Sequence, residues 1–386
     1  MKSQTYPKNW DIEPLKNSIN LINGRAYALH EWESSGIPVI RLQNLTGSSE
    51  NYYYSNLNLP EKNYCYSGDL LYMWSATFGP YIWSGEKAIF HYHIWKLDIS
   101  SRNDKGYIYH LLNNISENLK KTASNGGTML HITKGFMDEL LLPLPPLAEQ
   151  QKIAQALTDA DNYISSLEKL IEKKKQLKEA SLISIFDFNN AEWEVKPLSD
   201  LCTYLNDGTH YTPRYTQEGI PFYSVENVTN NEFTDVKYIS KEEHETLIRR
   251  CKPENGDILM TRIGSVGVTK LIDWDINASI YVSLALLKFK NREFVKYFYA
   301  YSKTPKFLQD TLSRSLINAT PQKINMNEIG DIPVYFPKCQ NEQVRIANII
   351  LNLEKEIEVL NIKLSKAKFL KQGMMQKLLT GEIRLA

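Results

Sequence analysis

The stretch LAEQQKIAQAL, residues 147–157, returns in outline as QNEQVRIANII at residues 340–350. Glu149-Gln150, the basic Lys152 and Ile153-Ala154 are answered by Glu342-Gln343, Arg345 and Ile346-Ala347. The copies lie 193 residues apart, half of the 386-residue chain. A spacing that long marks a duplicated half-molecule, because solenoid units recur every ~20–50 residues. Beyond each phrase the apolar residues step by four and three: Ile153, Leu157, Ala160, Ile164, Leu167 and Ile171, then Ile346, Ile350, Leu353, Ile357, Leu360 and Leu364. This is a heptad seam. Two such helices in one chain most simply pair with each other as an antiparallel coiled coil, their charged faces in water.

Working outward, the duplication covers most of the chain. Trp10-Asp-Ile-Glu-Pro-Leu15 is matched by Trp193-Glu-Val-Lys-Pro-Leu198, and Gly36-Ile-Pro to Asn44 by Gly219-Ile-Pro to Asn227, both at an offset of 183. Gly68-Asp-Leu-Leu71 pairs with Gly256-Asp-Ile-Leu259 at 188, so insertions accumulate in the second copy, as loops tolerate. Between the helices lie short β-branched and aromatic runs broken by Gly, Pro, Asn and Asp. A helix is expected at Tyr107–Leu112 and at Phe294–Tyr299. The expected organisation is α+β: globular sheet-rich domains at 1–146 and 187–337, a first spacer helix at 147–186, and a second with a tail at 338–386. Approximate twofold internal symmetry follows, with the two domains separated by a helix rod of roughly 54 Å.

Composition narrows the function. With 42% hydrophobic and 23% charged residues the chain can bury cores like an ordinary globular protein. Cys65, Cys202, Cys251 and Cys339 form no Cys-x-x-Cys pair, which favours free thiols in a reducing cytoplasm. The start has no apolar signal core and no run of ~18 uncharged apolar residues occurs, so no membrane role is expected. No P-loop, no Asn-Pro-Pro-aromatic tetrapeptide and no glycine-rich S-adenosylmethionine turn is present, so no catalytic residue and no metal site is assigned. The Glu194-Val-Lys196 triplet lacks a counterpart at Asp11-Ile-Glu13, which argues against a nuclease centre. His91 and His93 alternate on an expected strand through AIFHYHIW, where two histidines on one face read as structural.

This order of motifs resembles the specificity (S) subunit of Type I restriction–modification systems. It is carried by the two Glu-Gln-x-x-Ile-Ala helices, Asp207-Gly-Thr-His-Tyr-Thr-Pro213, Gly219-Ile-Pro221, Gly256-Asp-Ile-Leu259, Ala319-Thr-Pro-Gln-Lys-Ile324 and Lys377-Leu-Leu-Thr-Gly381. The first half departs from the second: Asn23-Gly24 stands for Asp207-Gly208. The resemblance implies a non-catalytic DNA-binding subunit. Each globular domain would be a target recognition domain reading one half of a split site in double-stranded DNA. The helices would act as spacer and as docking surface for two methyltransferase (modification) subunits, with restriction (translocase and nuclease) subunits in the full complex. S-adenosylmethionine, ATP and Mg²⁺ would act on those partners, with no cofactor on this chain. The alternative is a non-catalytic scaffold whose sheet domains bind protein or carbohydrate.

Base edges are read by Arg, Lys, Asn, Gln, Ser and Thr, and phosphates are held by Lys and Arg. On that chemistry the DNA-facing candidates are Arg41, Asn44, Thr128, His131 and Lys134 in the first domain. In the second they are His210, Arg214, Arg262, Ser265, Gln322 and Lys323. Tyr52-Tyr53-Tyr54 reads as a strand edge or core, with stacking on nucleic acid as the alternative. Ile153, Leu157, Ile164, Leu167 and Ile171 are expected to face Ile346, Ile350, Leu353, Ile357, Leu360 and Leu364. Glu149, Gln150, Lys152, Glu342, Gln343 and Arg345 are expected to form two similar partner-docking surfaces.

Overall fold

The computed structural model describes residues 6–385 apart from 76, 124–131, 187, 189–191 and 317. The chain forms two compact units, one of Met1–Glu168 with Ile362–Ala386 and the other of Lys169–Asn361. Unit 1 thus takes both chain ends.

Unit 1 begins with β1 (Asp11–Pro14), β2 (Ile19–Asn23), β3 (Ile37–Ile40), the short α1 (Leu42–Thr46), β4 (Tyr53–Ser55) and β5 (Tyr64–Cys65). It continues with β6 (Leu70–Met73), β7 (Gly79–Ile82), β8 (Ala88–Phe90), β9 (Ile94–Ile99), α2 (Lys105–Ala123), α3 (Lys134–Asp138) and β10 (Leu141–Leu144). One sheet runs β2-β9-β6-β7, a second β4-β3-β8-β5, and β1 pairs with β10. The first and third are antiparallel, whereas β3 and β8 are parallel. A long helix, α4 (Leu147–Ser184), follows.

Unit 2 repeats the plan: β11 (Trp193–Pro197), α5 (Leu198–Leu201), β12 (Cys202–Asp207), β13 (Tyr215–Thr216), β14 (Ile220–Tyr223), α6 (Val225–Asn230), β15 (Lys237–Ile239) and α7 (Lys241–Leu247). Then come β16 (Ile258–Thr261), β17 (Thr269–Leu271), β18 (Ser279–Ile280), β19 (Leu284–Phe289), α8 (Phe294–Tyr301), α9 (Pro305–Ser313), α10 (Met326–Gly330), β20 (Pro333–Pro337) and α11 (Gln340–Leu378). Its sheets run β12-β19-β16-β17 and β13-β15-β14-β18, with β11 on β20. Strand for strand this is unit 1, except in the second sheet. There the extra strand lies beside β8 in unit 1 and at the other edge, beside β15, in unit 2.

The helix expected near Tyr107 is α2, and its counterpart is α8. Unit 2 breaks the helix at Ser302–Thr304 and restarts it as α9, where Thr304 caps the N–H of Phe307 at 3.2 Å and Pro305 occupies the first turn. A single 19-residue helix stands at that place in unit 1.

His91 and His93 are not on one strand face. Phe90 ends β8 and Ile94 begins β9, and His91-Tyr92-His93 make the tight turn between them, closed by Ile94 N–H on the His91 carbonyl at 2.9 Å. The two strands belong to different sheets, so the chain must bend where period-two alternation would have continued. Among the described residues no group of His, Cys, Asp and Glu is arranged to hold a metal.

The helix seam faces inward. Ile153, Leu157, Leu167, Ile171, Ile346, Ile350 and Leu353 are buried, and Ile164, Ile357, Leu360 and Leu364 are half-buried. In unit 1, Asp161 bonds Lys371 and Glu168 meets Lys368 at 2.7 Å; in unit 2, Lys174 meets Glu356 at 2.6 Å and Lys178 meets Glu354 at 3.3 Å. In each unit rising numbers on α4 meet falling numbers on α11, so the helices are antiparallel.

Each unit's core also receives the tail of the other long helix. Leu378 and Leu379 at the end of α11 join Trp10, Ile153 and Leu157 in unit 1. Leu182 and Phe186 at and beyond the end of α4 join Leu198, Ile346 and Ile350 in unit 2. Lys377-Leu-Leu-Thr-Gly381 is therefore an anchor: two leucines in the core, then Gly381 at φ +72°, a conformation glycine adopts without strain.

Candidate nucleic-acid interface

The second sheets of the two units share a hydrogen-bond framework. Arg41 N–H donates to Asn44 Oδ1 at 2.9 Å at the head of α1, and Ser224 N–H to Asn227 Oδ1 at 2.8 Å at the head of α6. Asn44 Nδ2 donates to the Ser49 and Asn51 carbonyls, and Asn227 Nδ2 to that of Glu232. Both amides are thus committed to shaping the loop. Asn44, expected to face DNA, has its polar atoms turned to backbone instead.

The turn that joins the two sheets is built alike. His91 N–H donates to Ile40 O and Tyr281 N–H to Tyr223 O, each at 2.9 Å. Arg25 and Thr209 bridge to His91 and Tyr281. A Cβ on Gly24 would lie 2.2 Å from the His91 carbonyl, and one on Gly208 2.1 Å from that of Ile280. Only glycine fits where these two segments cross, which is why Asn23-Gly24 and Asp207-Gly208 both keep it.

On this framework unit 1 carries a cavity of about 530 Å³, bounded by Trp32, Arg41, Gln43, Thr77, His91 and His93 among others. The Arg41 guanidinium lies 4.2 Å over the Tyr53 ring, and Trp32 stacks between Tyr27 and Tyr53, each at 4.7 Å. Tyr53 begins the edge strand β4 and is exposed. Burial, with His93 and Arg41 alongside, pushes the His91 pKa down to about 4, so the imidazole is neutral at pH 7. Lys134 starts α3 and donates to the Leu21 carbonyl at 3.2 Å. Thr128 and His131 lie outside the described residues.

In unit 2 the candidates separate into two kinds. Arg214, Ser265 and Lys323 are exposed, and the Ile263–Lys323 bridge with Gly264 N–H on Gln322 O sets Ser265 beside Gln322 and Lys323. The Gln322 amide is held by Ser315 Oγ at 2.8 Å.

Arg262, expected to face DNA, is buried. It donates to Asp207 at 2.7 Å, to Val282 O at 3.1 Å and to Ile324 O at 3.2 Å, and so holds the sheet-joining turn from inside. His210 and Arg250 close on the same carboxylate at 3.0 and 2.7 Å. The exposed Arg250 was missed at the sequence level, where Arg249-Arg250 was its only signal.

The expected partner-docking residues divide as well. Glu149 is buried and paired with Arg384 through two bonds of 2.5 and 2.6 Å. Gln150 is buried too, and donates to Pro145 O and Asn103 while accepting from Asp104 N–H. Neither offers a surface. Gln150 ties the helix start to the strand before it, as Gln343 does through Pro337 O at 2.7 Å. Lys152 is exposed, and Glu342 and Arg345 pair with each other on the surface.

Comparison with known proteins agrees with this duplicated plan. The family model described as "Type I restriction modification DNA specificity domain" matches twice, over residues 7–179 and 190–368. The chain is 24% identical to the Type I restriction enzyme EcoBI specificity subunit of Escherichia coli, over 97% of this chain and 86% of that one. It is 23% identical to the MjaVIII specificity subunit of Methanocaldococcus jannaschii, over 100% and 95%. The crystal structure of a Type I restriction–modification S subunit from M. genitalium superposes with a TM-score of 0.67 at 16% identity, over 98% of this chain and 97% of that one. With two copies of the family's domain spanning most of its length, the chain belongs to the Type I restriction–modification DNA specificity family.

Proposed function

We propose that this chain is the DNA-reading subunit of a Type I restriction–modification complex, each globular unit recognising one half of a bipartite target. The paired helices set the unread gap and dock two methyltransferase subunits, and restriction subunits complete the assembly. The chain performs no chemistry itself; S-adenosylmethionine, ATP and Mg²⁺ act on its partners. One observation carries the reading: two units repeat the same sheet-joining backbone hydrogen bonds and helix-head Asn contacts while changing the side chains mounted on them. That is what a reader of two different half-sites requires, since backbone geometry positions and side chains specify.

The test is selection from a random duplex library by the full chain with its methyltransferase. Enrichment of two short motifs at fixed separation supports the reading. Binding to no duplex, with retention of protein or glycan ligands, would support a scaffold instead.

A further inference from the structure

The position-by-position match of the two units allows their side chains to be compared at equivalent places. Arg41 corresponds to Ser224, Gln43 to Glu226, His91 to Tyr281 and His93 to Ser283. Unit 1 therefore lines this place with a guanidinium, an amide and two imidazoles, and the described residues around the cavity include no carboxylate. Unit 2 sets a hydroxyl and a carboxylate at the first two positions. Gln43 and Glu226 are both exposed.

Arg41 is prepared as a donor. Its guanidinium is stacked on Tyr53, and its Nε is buried without an acceptor among the described residues. A stacked guanidinium keeps its N–H groups in one plane, the geometry that matches two acceptors side by side. In the major groove guanine presents such a pair, O6 and N7, whereas a carboxylate accepts from the exocyclic amino groups of cytosine or adenine and repels the keto oxygens of guanine and thymine.

We propose that residues 41 and 43 in unit 1 and 224 and 226 in unit 2 are homologous base-reading positions of opposite polarity. Arg41 with Gln43 selects a guanine edge in one half-site, and Glu226 selects an amino-bearing base in the other. This rests on the DNA-recognition reading above and names the chemistry within it.

The experiment repeats the library selection with Arg41→Gln, Gln43→Glu and Glu226→Gln, each in the full chain with its methyltransferase. Arg41→Gln should relax one guanine position in one half only, by roughly 10- to 100-fold in preference. Glu226→Gln should relax one amino-base position in the other half, with the first half unchanged. Gln43→Glu keeps the shape but replaces the amide donor by a second acceptor, so its position should turn against keto oxygens and towards amino bases. If the parent enriches a bipartite motif and the variants enrich the same one, this assignment is wrong while DNA recognition stands. If Arg41→Gln weakens all sequences equally and lowers the salt dependence, Arg41 holds a phosphate and the assignment is again wrong. If the parent enriches nothing, the DNA-recognition reading itself fails.

Discussion

Asp207 Oδ2 accepts from Arg262 Nη1 at 2.7 Å with both side chains less than a tenth exposed. The equivalent places in unit 1 hold Asn23 and Trp74. Trp74 Nε1 donates to the Tyr92 carbonyl at 2.8 Å, as Arg262 Nη1 donates to that of Val282 at 3.1 Å. The same turn carbonyl is thus satisfied twice, once by an ion pair and once by a neutral ring. Asp207→Asn leaves a buried guanidinium without its counter-charge and should destabilise the protein by about 3–5 kcal/mol. Asn23 is exposed, so Asn23→Asp places its charge in water and should change stability by less than about 0.5 kcal/mol. Denaturant titration of both variants checks this; an Asp207→Asn protein as stable as its parent would show that the buried Arg262 does not depend on the carboxylate.

Glu149 is held by Arg384, whose guanidinium bonds lower the pKa of the carboxyl. Removing the cation strands a buried carboxylate at the start of α4. Arg384→Ala should lower stability by about 3 kcal/mol and speed amide exchange in the 378–385 segment. Unchanged exchange there would mean that the leucines alone hold the tail.

His110 is 2% exposed, with Nε2 3.1 Å from Thr158 Oγ1, and burial pushes its pKa down to about 4 despite Asp161 at 3.9 Å. A depressed histidine binds its proton first in the unfolded chain. Its stabilising effect is therefore complete above pH ~6.5 and fades as pH falls towards 4. His91 acts in the same direction. Melting temperature should fall between pH 7 and 4.5, and less steeply in His110→Gln. Parallel curves for the two proteins would remove His110 as a source of the slope.

Much of this was legible in the sequence because it recurs. The heptad steps gave the antiparallel helices, and Gly24 and Gly208 persist because a Cβ would strike a backbone carbonyl. The Glu-Gln phrase was legible as a motif but not as a contact. Both side chains turn inward, and nothing local announces that the partner of Glu149 is Arg384, 235 residues later. Arg262 looked like a base reader for a similar reason: an arginine beside a glycine turn has the same letters whether it points to solvent or to a buried aspartate. The sheet-joining turn at His91–His93 was hidden by an alternation that runs unbroken through two strands of different sheets.

Inserting one heptad in each long helix keeps the apolar seam in register and adds ~10 Å. If the helices set the gap, the preferred separation of the half-sites should grow by about three base pairs. Selection from a library with variable spacing reads this directly, and an unchanged optimum would rule out the helices as the ruler.

The central claim is that each unit reads its own half-site. Its most direct test replaces residues 187–337 with the same segment of another family member and determines the selected motif of the chimaera with its methyltransferase. One half should change to the donor's sequence while the other half stays as in the parent. A motif altered in both halves, or in neither, would contradict independent reading by two duplicated units.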